Sequence, residues 1–207
     1  MVGWQVIAVG AVCMAIALLY SGGPLPIARL PIGELFAGGL LGSVLIGVAS
    51  YVQHPVLEAA NGWLGLPSTV LIATILSVNN ACDVEGDRRA GRRTLASVVG
   101  IDRAERLIDG QLLLTLLLAV ALIPLRVLSI EALVPLAAAA VAGGRELSAM
   151  HRRGFSHATK SAQMAGISKI FILYTVALLL GIALTAWLQP HHVHFKTLDR
   201  LTDVVAG

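Results

Sequence analysis

Residues 61–95 read NGWLGLPSTVLIATILSVNNACDVEGDRRAGRRTL. The first part, 61–78, is mostly apolar and has about the length a helix needs to cross a bilayer, roughly 17–25 residues. The chemistry then changes abruptly. Asn79, Asn80, Asp83, Glu85 and Asp87 arrive in quick succession, followed by Arg88, Arg89, Arg92 and Arg93. If the helix continues through this block, Asn79, Asp83 and Asp87 sit at i, i+4 and i+8, with Asn80 three residues before Asp83. All four side chains then share one helix face.

Working outward, five further stretches have the length and composition of spans: about 2–20, 33–53, 107–125, 127–144 and 170–188. The composition agrees. Of the 207 residues 57% are hydrophobic and 13% charged, against about 25% charged in soluble domains. Mean hydropathy is +0.81. This excludes an ordinary soluble fold and predicts an all-α transmembrane bundle of six helices over 1–188, with a polar tail at 189–207. Trp4, Tyr51, Trp63 and Trp187 fall near span ends, as interfacial aromatics do. Two cysteines exclude a disulfide framework. Gly38, Gly42 and Gly47 predict close helix–helix approach along the second span, a packing role.

The net charge of +3 does not point to nucleic acid, because topology sorts the cations. Alternating six spans places Arg29, Arg88, Arg89, Arg92, Arg93, Arg103, Arg106, Arg145, Arg152, Arg153, Lys160 and Lys169 on one side, 12 of the 15 basic residues. Only Arg126, Lys196 and Arg200 fall on the other. The positive-inside rule makes the 21–32, 79–106 and 145–169 loops cytoplasmic and both termini external. The predominance of Arg over Lys suggests a GC-rich prokaryotic source, hence a bacterial inner (cytoplasmic) membrane.

Two carboxylates a turn apart at a helix end form a hard-oxygen site suited to Mg²⁺, which takes one or two carboxylates plus phosphate oxygens. The arginines that follow present guanidinium forks suited to phosphate. Together they imply a Mg²⁺-bound diphosphate at a membrane surface. The same residues also suit a charge-balanced loop that merely follows the positive-inside rule. Position favours function, since Asn79, Asn80 and Asp83 lie at a span end, where polar groups are expensive.

The pattern NxxxDxxxDxxxGxxTLxxxxG from Asn79 to Gly100 resembles the second aspartate-rich motif of the UbiA-type membrane prenyltransferases. Asn79-Asn80, Gly91 and Arg93-Thr94-Leu95 are most similar to the branch that prenylates 1,4-dihydroxy-2-naphthoate for menaquinone. Tyr20-Ser21-Gly22-Gly23-Pro24, Gly33-Glu34 and Tyr51-Val52-Gln53 resemble that branch as well. Cys82 departs from it, since many members carry Arg there. The resemblance implies transfer of a polyprenyl group from a polyprenyl diphosphate to an aromatic acceptor. It implies Asp83, Asp87 and Asn79 as Mg²⁺ ligands, with Asn80, Arg92, Arg93, Arg29 and Tyr20 toward the diphosphate. For Arg29 and Tyr20, anchoring at the interface is an equal reading.

The family has nine helices and a first aspartate motif that has no counterpart before Tyr20. The resemblance therefore covers the last six helices. It implies a chain with little activity alone, whether as a truncated product, a degenerate relative or a protein partnered by a separate N-terminal half. A small transporter or channel subunit is the competing class, with Asp83 as an ion-path residue; against it, the sequence has no repeat and gathers its polar groups at one loop. Acceptors of other branches, such as homogentisate or 4-hydroxybenzoate, remain open.

Several remaining groups point elsewhere. Lys169 reads as snorkelling to the surface. His151 and His157, in a basic loop with Arg152 and Arg153, read as facing anionic headgroups. His191, His192 and His194 read as an incidental tract, and His54 and Glu58 find no acid–base partner.

Overall fold

The computed structural model describes residues 3–24, 26–53, 55–56 and 59–188. The histidine tract, the tail, His54 and Glu58 lie outside the described residues. Among those described, the chain is helical throughout, without a strand. Helix α1 covers Trp4–Ser21; α2 (Gly33–Gly39), a π-helical turn (Leu40–Val44) and α3 (Leu45–Gln53) run on as one rod. Then come α4 (Ala59–Cys82), two short helices, α5 (Val84–Arg89) and α6 (Leu95–Val99), and the long helices α7 (Ile101–Ala121), α8 (Leu133–Arg153) and α9 (Lys160–Leu188).

Six long rods thus match the six expected spans, but with two corrections. Four are long and apolar enough to cross a membrane: Trp4–Ser21, Gly33–Gln53, Ala59–Cys82 and His157–Leu188. Helices α7 and α8 are long but more charged, because each extends past its apolar stretch. Helix α7 begins at Ile101 rather than near 107 and includes Asp102, Arg103, Glu105, Arg106 and Asp109; α8 runs on to Arg153 rather than stopping near 144. Arg and Glu are good helix formers, so leaving the apolar zone does not end a helix. Between them the chain turns at Arg126, whose φ is +57°, and takes a 3₁₀ turn at Ile130–Ala132.

Helix α4 packs against α2, α3, α7 and α9, while α8 packs on α9. Leu71, Val78, Ile108, Leu122, Leu136, Met150 and Ile167 fill the interior between them. Outside, large apolar side chains such as Leu35, Val134, Leu179 and Trp187 stand exposed, the reverse of a soluble protein's surface chemistry and suited to lipid. The buried hydroxyls of Thr74 and Thr115 are satisfied within their own helices, as suits lipid: Thr74 donates to the Val70 carbonyl at 2.8 Å, and Thr115 to that of Gln111 at 2.9 Å.

The glycine expectation holds at two of three positions. A Cβ at Gly38 would strike the carbonyl oxygen of Thr69, and one at Gly42 would lie 2.5 Å from Thr69 Cα. Here the backbones of the second rod and α4 meet directly. Ser43 seals the contact, its N–H donating to Thr69 Oγ1 at 2.9 Å and its hydroxyl lying 2.7 Å from the same oxygen. Gly47 is the exception, with nothing within 4 Å of its would-be Cβ.

Candidate active site

The close α2–α4 joint brings the start of α2 to the end of α4. There Asn80 donates through Nδ2 to Glu34 Oε1 at 2.9 Å, a fully buried bond between residues 46 apart in sequence. Asn79, half-buried, donates to Asn80 Oδ1 at 3.3 Å. Glu34 is 4% exposed, and its Oε2 is buried without a hydrogen-bond partner among the described residues. Tyr20, at the end of α1, is adjacent: its hydroxyl is 3.8 Å from where a Cβ on Gly33 would sit.

The helix does not run on through the polar block, and the shared face expected for Asn79, Asn80, Asp83 and Asp87 is therefore corrected. Helix α4 stops at Cys82, and Asp83 (φ −113°, ψ 14°) turns out of helical conformation to precede α5. Aspartate is a weak helix former that favours such boundary positions, and the turn gives its carboxylate two partners, His157 in the 3₁₀ turn before α9 and Lys160 at the first residue of α9. Lys160 Nζ donates to Oδ2, and His157 Nδ1 lies 2.9 Å from Oδ1. Burial works to raise the Asp83 pKa, but the hydrogen bonds and charges of Lys160 and His157 outweigh it and hold the carboxyl below its ordinary value.

Asp87 faces another way. It is 5% exposed, accepts from Thr94 Oγ1 at 2.9 Å, and has Arg92 at 3.6 Å. Thr94 also caps α6 by accepting from the Ser97 N–H at 3.3 Å, and Arg88 Nε donates to the Ser97 carbonyl at 3.0 Å. Gly91 (φ +67°) and Gly100 (φ +84°) adopt left-handed conformations at the two ends of this segment, where a side chain would be strained. The Arg93 N–H donates to the Arg29 carbonyl at 2.8 Å, docking the loop onto the 3₁₀ turn Ile27–Arg29. Among the described residues neither Arg29 nor Arg93 is ion-paired, and both are exposed.

The profile of the UbiA prenyltransferase family matches residues 1–167, across this whole end of the bundle. The chain belongs to that family. Over 97 residues, 47% of its length, it is 40% identical to the 1,4-dihydroxy-2-naphthoate octaprenyltransferase of Bacillus subtilis (strain 168), covering 31% of that protein. Over 110 residues, 51% of its length, it is 36% identical to the protein of the same name from Mycobacterium tuberculosis (strain ATCC 25618 / H37Rv), covering 36% of it. These alignments take in about a third of each relative's length. No solved structure matches.

Within this UbiA-family chain the structure gathers Tyr20, Arg29, Glu34, Asn79, Asn80, Asp83, Asp87, Arg92 and Arg93 at one end of the helices. It does not give Asp83 and Asp87 a common partner. Among the described residues no group of three or more His, Cys, Asp and Glu is placed to hold a metal ion. The donor chemistry nevertheless fits Mg²⁺ bound together with a phosphate: two carboxylates and an amide oxygen, each carboxylate now beside a cation.

Four participants escaped sequence reasoning. Lys160 and His157 lie more than 70 residues from Asp83, beyond any local spacing rule. Thr94 was quoted only as part of a pattern. Glu34 did carry a signal, being an acid at the head of an apolar span. The histidines also differ from the headgroup expectation, since His157 faces Asp83 and His151 Nε2 lies 2.8 Å from Asp109 Oδ1. Lys169 sits 3.5 Å from Glu146, outside the cluster.

Proposed function

We propose that this chain carries the catalytic end of a Mg²⁺-dependent polyprenyltransferase acting on 1,4-dihydroxy-2-naphthoate in menaquinone synthesis. The site faces the cytoplasm of a bacterial inner membrane. The observation that carries the reading is the convergence of the Asn79–Gly100 block with Arg29 and Glu34, fastened by the Arg93–Arg29 and Asn80–Glu34 hydrogen bonds. The naphthoate acceptor rests on the names of both relatives and on the paired asparagines and Thr94-Leu95.

In this reading Asp83, Asp87 and Asn79 hold Mg²⁺, which when bound neutralises charge on the leaving diphosphate. Asn80 orients the diphosphate by its amide. Arg29 and Arg93, exposed and without an ion pair among the described residues, offer forks to phosphate oxygens, and Arg92 joins them by releasing Asp87. Tyr20 borders the same space. Lys160 and His157 hold the Asp83 carboxylate in place at the end of α4. The apolar walls of the helices hold the isoprenoid and keep water from the allylic cation. Further carboxylates are needed to complete the metal site, and the family's first aspartate motif would supply them.

The test is retention of radiolabelled farnesyl diphosphate by the chain in lipid nanodiscs, with and without Mg²⁺, followed by transfer to 1,4-dihydroxy-2-naphthoate when a three-helix segment bearing the first motif is co-expressed. Retention that needs Mg²⁺ and is lost in Asp83→Asn supports the reading. Retention indifferent to both sinks it.

A further inference from the structure

Glu34 is a carboxylate inside a membrane-spanning segment, 4% exposed, with one oxygen bonded to Asn80 and the other buried without a partner among the described residues. A buried ionisable group in a span is costly and needs a reason. A half-satisfied one is costlier still. Structural need explains only the first oxygen, since Asn80 joins α2 to α4 through Oε1. Oε2 is an acceptor without a donor, in a cluster whose other members are the residues proposed to hold the prenyl diphosphate.

Depth narrows the choice of donor. Asn80 precedes Asp83 by three residues, so at about 1.5 Å per residue it lies roughly 4–5 Å further along α4 into the apolar interior. If the diphosphate is held at Asp83 and Asp87, the allylic carbon and the ring that attacks it belong just below. A hydrogen-bond acceptor at that level suits a hydroxyl on the ring. Tyr20 borders the same position from α1.

We infer that Glu34 receives a ring hydroxyl of the aromatic acceptor at its free Oε2, with Asn80 fixing the carboxylate through Oε1; this rests on the function proposed above. The hydroxyl proton passes to Oε2 as the O–H electron pair moves into the ring. The ring carbon bearing the carboxylate bonds to the allylic carbon, and the allylic C–O bond breaks with its electron pair leaving on diphosphate. Carbon dioxide then departs, its C–C electron pair restores the aromatic ring, and the ring oxygen takes its proton back from Glu34. The residue is regenerated and no outside reagent is consumed.

The experiment compares two ligands and two variants in nanodiscs. The ligands are 1,4-dihydroxy-2-naphthoate, handled anaerobically, and 2-naphthoate, which lacks both hydroxyls. Wild type is expected to prefer the hydroxylated ligand by about ten-fold or more, as sites built around a substrate hydroxyl do. Glu34→Gln keeps the shape of the side chain but has one acceptor oxygen in place of two, so the preference should fall below about three-fold. Glu34→Asp should restore part of it.

Mg²⁺-dependent binding of farnesyl diphosphate is measured beside it as the check that the cluster around Asn80 remains assembled. A preference that survives Glu34→Gln overturns the inference. So does joint loss of farnesyl diphosphate binding, which would make Glu34 part of the metal or structural framework. Wild type that binds farnesyl diphosphate yet shows no hydroxyl preference refutes this inference alone, and wild type that binds neither ligand class refutes the proposed function with it.

Discussion

Replacing Gly42 with alanine adds one methyl group where the second rod meets α4. That methyl would lie 2.5 Å from both Cα and Oγ1 of Thr69 and 2.7 Å from its N. Carbon contacts settle at about 3.5–4.0 Å, so the helices must separate by roughly 1 Å. Overpacking of this kind costs about 1–3 kcal/mol. Separation also stretches the two Ser43–Thr69 hydrogen bonds of 2.9 and 2.7 Å, each worth about 0.6 kcal/mol inside a membrane. The total is about 2–4 kcal/mol, or a fall in Tm of roughly 4–16 °C for a chain of this size. Gly39→Ala is the control, because nothing lies within 4 Å of its would-be Cβ. Thermal unfolding in nanodiscs should separate the two variants clearly. If Gly42→Ala melts within about 1 °C of Gly39→Ala, the direct backbone contact and the reasoning built on it are wrong.

Thr94→Val removes the hydroxyl that donates to Asp87 at 2.9 Å and caps α6; a loss of about 2–3 kcal/mol is expected on unfolding, and a change under about 0.5 kcal/mol would show that the buried carboxylate does not need it. Arg93→Gln should weaken farnesyl diphosphate binding about ten-fold with Tm unchanged, since the side chain is exposed, and equal affinity would remove it from the site. Acid should loosen the start of α9. Asp83 is held below its ordinary value of 3.8, so its ionised form stabilises the fold above that value and the contribution is lost as pH falls through the lower folded value. Hydrogen exchange at residues 157–162 should therefore accelerate below about pH 4, and less so in Lys160→Met. An identical acid response in the two proteins would show that the Lys160 contact is not what holds Asp83.

Much of this architecture was readable beforehand because lipid imposes simple rules. Long apolar runs mark spans, and the Asn79–Gly100 pattern carries enough fixed spacing to identify a family. The positions of α7 and α8 were less legible, because hydropathy reports the apolar zone while Glu105, Arg106, Arg145 and Glu146 let the helices outrun it. The same limit explains the broken face. Periodicity projects an ideal helix through Asp83, but the partners that draw it aside, Lys160 and His157, come from a segment more than 70 residues away. Glycine spacing likewise marked the close joint yet could not tell that Gly42 faces Thr69 while Gly47 faces open space. Glu34 was visible as an acid at a span's head; its orphaned oxygen was not, because burial is a property of neighbours.

Asp83 belongs to two helices and grips a third. Its N–H is bonded to the Asn80 carbonyl at 3.1 Å, its carbonyl takes the Asp87 N–H at 2.8 Å, and its carboxylate reaches the start of α9. Asp87, on α5 beyond it, is held instead by Thr94 at the start of α6. The two carboxylates that the motif pairs in sequence are therefore fastened to different neighbours, Asp83 to the start of α9 and Asp87 to the start of α6. A single residue's departure from helical backbone thus ties α4, α5 and α9 together at residue 83.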